Sequence, residues 1–240
     1  MSTKLKIAAA VAAAVLLSAC SSPKHEPMPL VKFTPSMEVT EVWSKGLSSA
    51  EGFLVPAVYD DMVFAAGGKT LTRLNARTGE TEWSVSFNSP ITGGVGSDGY
   101  VTAVGLWDGN LEVVDAEGKV SWEKKLTTEL ASPPVVSHGL VIARTMDTRV
   151  SAFEASSGEL QWTYQRSQPA LTVRLPTRML AHDNFLLVGQ PNGHIVILDI
   201  ASGKPMFEFQ VAQAKGVTEV ERLVDVVGAP AFSDNLVCAA

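Results

Sequence analysis

At 240 residues with a net charge of −6, the chain is long enough to bury a sizeable core and too acidic to take nucleic acid as a partner. Its two cysteines exclude a disulfide framework. Its four histidines (His25, His138, His182 and His194) lack the spacing of metal ligands.

The first element in the chain is an address rather than part of a fold. Lys4 and Lys6 precede an unbroken apolar run from Ile7 to Leu17, the length of a signal-peptide core and too short to span a bilayer. The run ends in Leu17-Ser18-Ala19-Cys20, which resembles a bacterial lipobox. That implies cleavage before Cys20 and acylation of the new N-terminal cysteine, against the alternative of an ordinary secretory signal with a chance cysteine. Ser21 and Ser22 follow, with no aspartate behind the cysteine, and the same resemblance then implies the outer membrane rather than inner-membrane retention. Several acyl chains together anchor where one cannot. Residues 1–19 are assigned to the signal peptide and 20–39 to the lipidated N-terminus and a flexible linker, where Ser21 to Ser36 holds four prolines and little periodicity. With Cys20 acylated, Cys238 has no partner and reads as a buried structural thiol.

From residue 40 onward the chain repeats itself. Four segments end in a glycine turn followed by an aromatic: Gly79 and Trp83, Gly118 and Trp122, Gly158 and Trp162, Gly203 and Phe207. Matching openings start at Pro56, Gly94, Pro134 and Met179, and a fifth at Pro230. In the first unit the pattern predicts strands at Ala57-Val58, Met62 to Ala66, Thr70 to Asn75 and Glu80 to Phe87, separated by Asp- and Gly-rich turns. Short strands in fours, recurring every forty or so residues, describe an all-β fold: a β-propeller of four-stranded blades. A lone four-stranded sheet cannot cover both its faces, so each blade leans on the next. The aromatic column is expected to pack between blades. Trp43 has no opening upstream and reads as the fourth strand that closes a propeller ring.

These units resemble the PQQ-type repeat with its Gly-x-x-x-Trp ending. Together with the lipobox, the chain resembles the BamB family, lipoproteins of the bacterial outer-membrane β-barrel assembly (BAM) machinery. The family is eight-bladed. Residues 40–240 then hold about four blades, a closing strand and the start of a fifth blade, and the expectation is a C-terminally truncated product.

The period slips in two places. Trp83 to Gly94 and Trp122 to Pro134 span 11 and 12 residues, but Trp162 to Met179 and Phe207 to Pro230 span 17 and 23. Two consecutive links between blades are therefore long, and such links share a face with the turns between second and third strands, a plausible docking platform. In the first insertion, extended backbone sends Leu171, Val173 and Leu175 one way and Thr172 and Arg174 the other. The apolar side either tucks onto its own blade or faces a partner. In the second, a Thr218-x-x-Glu221 capping box and the spacing of Val220, Leu223, Val224 and Val227 predict an amphipathic helix of two to three turns, packed on the disc, with Glu219, Glu221, Arg222 and Asp225 outward. Trp107, in a second-to-third-strand turn and outside every repeat column, is a further candidate on this face.

The family resemblance implies that these segments bind the periplasmic POTRA domains of BamA, the central barrel protein, through positions matched here by Leu171, Val173, Arg174 and Asp225. Val227 stands where the family pattern has a second aspartate. It further implies other BAM subunits as partners, and unfolded outer-membrane proteins as clients. A PQQ-dependent dehydrogenase shares the repeat, but that chemistry needs a carboxylate–amide cluster around a divalent ion and an aspartate base. Asp115, Glu154 and Asp199 sit instead at strand–turn positions, and no Gly-x-Ser-x-Gly or Walker loop appears. No catalytic residue, cofactor or metal is expected. A passive envelope-binding lipoprotein is the third reading.

Overall fold

The computed structural model describes Leu30, residues 36–48, 54–167, Leu171, and residues 177–218, 220–233 and 236–239, the side chain of Asn192 excepted. Cys20 and the signal and lipid-anchor assignments lie outside these residues. The chain divides into the units Met1–Thr40 and Glu41–Ala240, and all the regular structure among the described residues belongs to the second.

That unit is a succession of antiparallel four-stranded sheets, each paired in chain order. The first blade is β1 (Ala57–Tyr59), β2 (Met62–Gly67), β3 (Thr70–Asn75) and β4 (Thr81–Ser86). The second is β5 (Ile91–Ser97), β6 (Thr102–Leu106), β7 (Asn110–Val114) and β8 (Val120–Lys125). The third comprises β9 (Val135–Ser137), β10 (Leu140–Arg144), β11 (Val150–Glu154) and β12 (Leu160–Tyr164). The fourth comprises β13 (Met179–His182), β14 (Phe185–Gln190), β15 (His194–Asp199) and β16 (Pro205–Gln210). A hairpin of β17 (Ala231–Ser233) and β18 (Leu236–Cys238) begins a fifth.

Local chemistry sets each blade. In three of them the first two strands are joined by a two-residue turn whose first residue has positive φ: Asp60 at 48°, His138 at 54° and Asp183 at 47°. Tight hairpins need that left-handed backbone to match the strand twist, and Asp and His tolerate it better than branched residues. At the far end Asp115 Oδ1 accepts the Lys119 N–H at 2.8 Å and Asp199 Oδ1 accepts the Ser202 N–H at 2.9 Å. These carboxylates cap turns, as their positions in the sequence suggest.

The third-to-fourth strand ladder shifts register once in every blade, beside the pairs Arg73–Trp83, Val113–Trp122, Ala152–Trp162 and Ile197–Phe207. This bulge turns the aromatic off its own sheet and toward the next blade. There each indole N–H donates to a carbonyl: Trp43 to Ala76 at 2.9 Å, Trp83 to Ala116 at 3.0 Å, Trp122 to Ala155 at 2.8 Å and Trp162 to Ile200 at 2.8 Å. The ring lies flat on the glycine of that turn. A Cβ at Gly118 or Gly158 would stand 2.8 or 2.7 Å from the Trp83 or Trp122 ring, and both glycines have φ near 80° or 70°, so no other residue serves. Blade is thus bolted to blade by a hydrogen bond and a stacked ring.

The core consequently lies between blades rather than within one. Phe64, Leu71 and Phe87 pack with Ile91, Val95 and Val104 across the first gap. Ala103, Leu111 and Val113 meet Val141, Ala143 and Phe153 across the second, and Ile142, Val150 and Trp162 meet Met179, Leu186 and Val196 across the third.

Three expectations change here. Phe207, expected in the core like the tryptophans, is 56% exposed, because the described residues of the fifth unit supply two strands and no glycine turn to receive it. Cys238, expected buried, is exposed on that same hairpin. Trp43 makes its indole bond, but residues 38–48 pair with no strand among the described residues, so the closing-strand role has its wedge and not its ladder.

Candidate docking surface

The links between blades and the second-to-third-strand turns share one rim. The Phe87 N–H donates to Lys69 O at 2.9 Å, Leu126 N–H to Gly109 O at 3.0 Å and Val211 N–H to Gly193 O at 2.7 Å, so each link crosses the turn of the blade it leaves. The first insertion leaves β12 at Tyr164, which pairs with Val150 beside the corresponding turn of the third blade, so both insertions rise from the same rim as Trp107.

The first insertion is fastened at both ends. Just past β12, Arg166 Nη1 pairs with Glu208 Oε1 on β16, and the His194 Nδ1 atom lies 2.8 Å from the same oxygen. The hydrogen bond from Arg166 and then its charge, with His194 adding, hold the Glu208 carboxyl below its ordinary range. At the other end Thr177 is buried. Its N–H donates to Ala131 O at 3.0 Å and its hydroxyl accepts from Arg144 Nη1 at 2.9 Å. Between these fastenings Leu171 is 42% exposed. Val173 and Arg174 lie outside the described residues.

Among its described residues the second insertion forms no helix. The capping-box contacts do exist: Glu221 Oε2 accepts the Val217 and Thr218 N–H groups at 2.9 and 3.0 Å, and the Glu221 N–H reaches Thr218 Oγ1 at 3.3 Å. They lower the Glu221 pKa, the Thr218 backbone bond first. One turn follows, and then the backbone runs irregularly to Pro230. Val220, Val224, Val226 and Val227 are β-branched and make poor helix, so the cost of nucleation is not recovered over so short a span. The burial pattern corrects the predicted stripe as well. Val220 is 69% exposed and Leu223, Val224 and Val227 are half-buried, while Val226 is buried with its N–H on Gln190 O at 3.2 Å. Val226 sits on Gly189, where a Cβ would come within 2.6 Å of its carbonyl oxygen.

Asp225, expected to face outward, is half-buried and close enough to Arg144 for its carboxylate to favour the charged guanidinium. Arg144 itself is 4% exposed at the end of β10. Burial is the stronger influence and brings its pKa down to about 10, so the side chain remains a cation at neutral pH. Arg144, Thr177 and Gln190 did not emerge from the sequence pattern. The signal is nonetheless there: pairing with the third strand aligns Arg144 with Ala66, Gly105 and Gly189, so an arginine stands in a column of small residues.

Trp107 is 62% exposed, its N–H held by Pro90 O at 2.8 Å. With Lys125, Thr128, Met146 and Asp147 it lines an open cleft of about 520 Å³ on the rim between the second and third blades. Among the described residues no three His, Cys, Asp or Glu side chains are grouped to hold a metal ion.

The family described as outer membrane protein assembly factor BamB matches residues 67–240. The outer membrane protein assembly factor BamB of Burkholderia pseudomallei is 38% identical over 237 residues, which cover 96% of this chain and 62% of that protein. Among solved structures, BamB from Moraxella catarrhalis is similar with a TM-score of 0.70 and 29% identity, over 78% of this chain and 57% of its own. A quinohaemoprotein alcohol dehydrogenase from Pseudomonas putida, at 15% identity and a TM-score of 0.55, covers 80% of this chain and 38% of its own, and shares the fold alone. The chain thus spans roughly three fifths of the curated relative's length. Matched across four blades and the hairpin beyond them, it belongs to the BamB family of outer membrane protein assembly factors.

Proposed function

We propose that the chain is a non-catalytic scaffold of the outer-membrane β-barrel assembly complex, tethered to the outer membrane by lipid on Cys20 and facing the periplasm. In this reading residues 1–19 are its signal peptide, residues 20–39 its lipidated linker and residues 40–240 its propeller. Its rim docks on the POTRA domains of BamA through Leu171, Val173, Arg174 and Asp225, with Trp107 at the margin, and so positions those domains for barrel insertion. The observation that carries this is the rim: two consecutive lengthened links, the first fastened at both ends, present apolar Leu171 to solvent while Trp107 stands exposed on the same face. A few anchors of that kind, an apolar side chain beside an arginine, dominate protein interfaces.

The test is a pull-down from detergent-solubilised membranes comparing the wild-type chain with Arg174→Glu, both first shown to resist protease equally. Retention of BamA by wild type and its loss in the variant supports docking through this loop. Equal retention by both removes Arg174 from the interface. Protease-resistant chains that both fail to retain BamA overturn the docking reading in favour of a passive envelope lipoprotein. A PQQ-type oxidoreductase has only the shared fold in its favour, and binding of free PQQ by the purified chain is the result that would revive it.

A further inference from the structure

Three links follow one local rule. After the second, third and fourth blades, a residue of the outgoing link drops inward onto the end of that blade's second strand. Leu130 covers Gly105, Thr177 covers Arg144 and Val226 covers Gly189. In two cases an apolar plug fills the space left by a glycine. In the third the strand residue is itself large and charged, and its plug is a hydroxyl.

A cation in that slot is costly to keep. Among the described residues Arg144 Nε has no hydrogen-bond partner, and a buried guanidinium loses its water without full replacement. A small residue with an apolar plug, as in the neighbouring blades, solves the packing problem without that cost. What the arginine adds is reach. Its Nη1 holds Thr177, the inner root of the first insertion, and its charge faces Asp225, one residue before the plug of the second. Val226, the next residue, is pinned by Gln190 O and by contact with Gly189, so the backbone next to Asp225 is anchored at the end of the fourth blade's second strand.

We infer that Arg144 is a positioning residue that clasps the two inserted segments into one surface, holding the first through Thr177 and the second through Asp225. This rests on the docking reading for its consequence in binding, but the clasp itself belongs to the free chain. Charge and geometry act on different segments. The second insertion needs only a cation near Asp225, whereas the first needs a donor aimed at the Thr177 hydroxyl.

Amide hydrogen exchange on the full chain separates these. The Thr177 and Val226 amides report the two segments, and the Phe87 and Leu126 amides, in the first two links, serve as controls. Arg144→Met keeps the length and apolar stem while removing the charge. It is expected to speed exchange at Thr177 and Val226 together, by roughly tenfold, and to leave Phe87 and Leu126 as they were. Arg144→Lys restores the charge without the guanidinium fork, so protection returns at Val226 and stays low at Thr177. A residue that merely filled space would give Lys and Met the same profile at both amides. That result, or unchanged protection in the Met variant, overturns the inference. If Met also exposes Phe87 and Leu126, the fold has failed, and Asp225→Asn takes over: faster exchange at Val226 but not Thr177 supports the clasp, and no change there overturns it. Titration of the purified BamA periplasmic domains then reads the consequence, with Arg144→Met binding about tenfold more weakly than wild type. Wild type failing to bind refutes the docking reading while leaving the exchange result to decide the clasp.

Discussion

Replacing Trp162 by Phe asks whether the indole bolts hold the blades together. Trp162 is 8% exposed, and its N–H donates at 2.8 Å to the carbonyl of Ile200, a residue itself 1% exposed. Phenylalanine keeps most of the ring but leaves that carbonyl without its donor, which costs about 1–3 kcal/mol when no water can replace it. The missing pyrrole portion removes apolar contact worth roughly another 1 kcal/mol. A total near 2–4 kcal/mol is expected. Urea unfolding followed by circular dichroism is the assay, since the substitution removes a fluorophore. With a slope of about 2 to 3 kcal/mol per molar, the midpoint should fall by roughly 1 M. Phe207→Ala is the internal control: it occupies the same column, but its ring is 56% exposed and makes no such bond, so its midpoint should move much less. Equal shifts in the two variants would refute the argument, because they would mean that the column position matters and the inter-blade bond does not.

Gly158→Ala tests the other half of the bolt. At φ +70° an added Cβ meets Trp122 at 2.7 Å, and left-handed backbone alone costs an L-residue about 1–2 kcal/mol, so a loss of at least about 2 kcal/mol is expected by the same unfolding assay. Alanine tolerated without loss removes the steric reason for the glycine column. Glu112 supplies a pH test. It is buried, and burial, then Glu123 directly across the ladder, then Asp108, raise its pKa above the ordinary 4.5. A raised folded-state pKa means that the folded chain holds the proton more tightly than the unfolded one. The group's favourable contribution is therefore complete below the unfolded value and lost as pH rises through the folded value. Glu112→Gln should stabilise the chain at pH 7, and the gain should vanish below about pH 4. A gain that is the same at both pH values contradicts an electrostatic origin.

What could be read directly from the residues was whatever the chain decides locally. Thr70–Asn75 runs between the predicted limits because Gly67-Gly68-Lys69 and the Asn75-to-Gly79 turn leave the strand no other ends. The tryptophan column was legible for the same reason, since its glycine must lie four residues ahead of the ring that continues the strand. Which glycine each ring covers is a matter of the next blade, as Trp122 on Gly158 shows, and only the assembled sheets reveal it. Phe207 and Cys238 depart from the repeat's expectation because the described residues of the fifth unit supply two short strands, which leave both side chains exposed. The helix failed at a different level. Its hydrophobic spacing and capping box were real, but a period says nothing about whether valines will keep helical backbone when Gly189 offers Val226 a slot. Arg144 was hidden by its ordinary place at the end of an apolar strand, and only the cross-strand pairing shows that its counterparts are small.

That pairing also explains why the rim can vary while the disc does not. Measured from the aromatic to the inward plug, the three links run Trp122 to Leu130, Trp162 to Thr177 and Phe207 to Val226: 8, 15 and 19 residues. From the plug to the next first strand they run Leu130 to Val135, Thr177 to Met179 and Val226 to Ala231: 5, 2 and 5. All the added length lies before the plug. A link must leave the fourth strand at the outer edge of one blade and enter the first strand at the inner edge of the next. The plug fixes the point where it turns inward. Residues added ahead of that point lengthen an excursion over the rim without moving either blade, and the entropic cost of a longer excursion grows only slowly. Residues added after it would push the incoming strand out of register with the core that Met179 and Val188 share with Ile142 and Val150. The plug therefore separates the part of each link that builds the propeller from the part free to carry a binding surface, and Arg144 is the point where both kinds of chemistry meet.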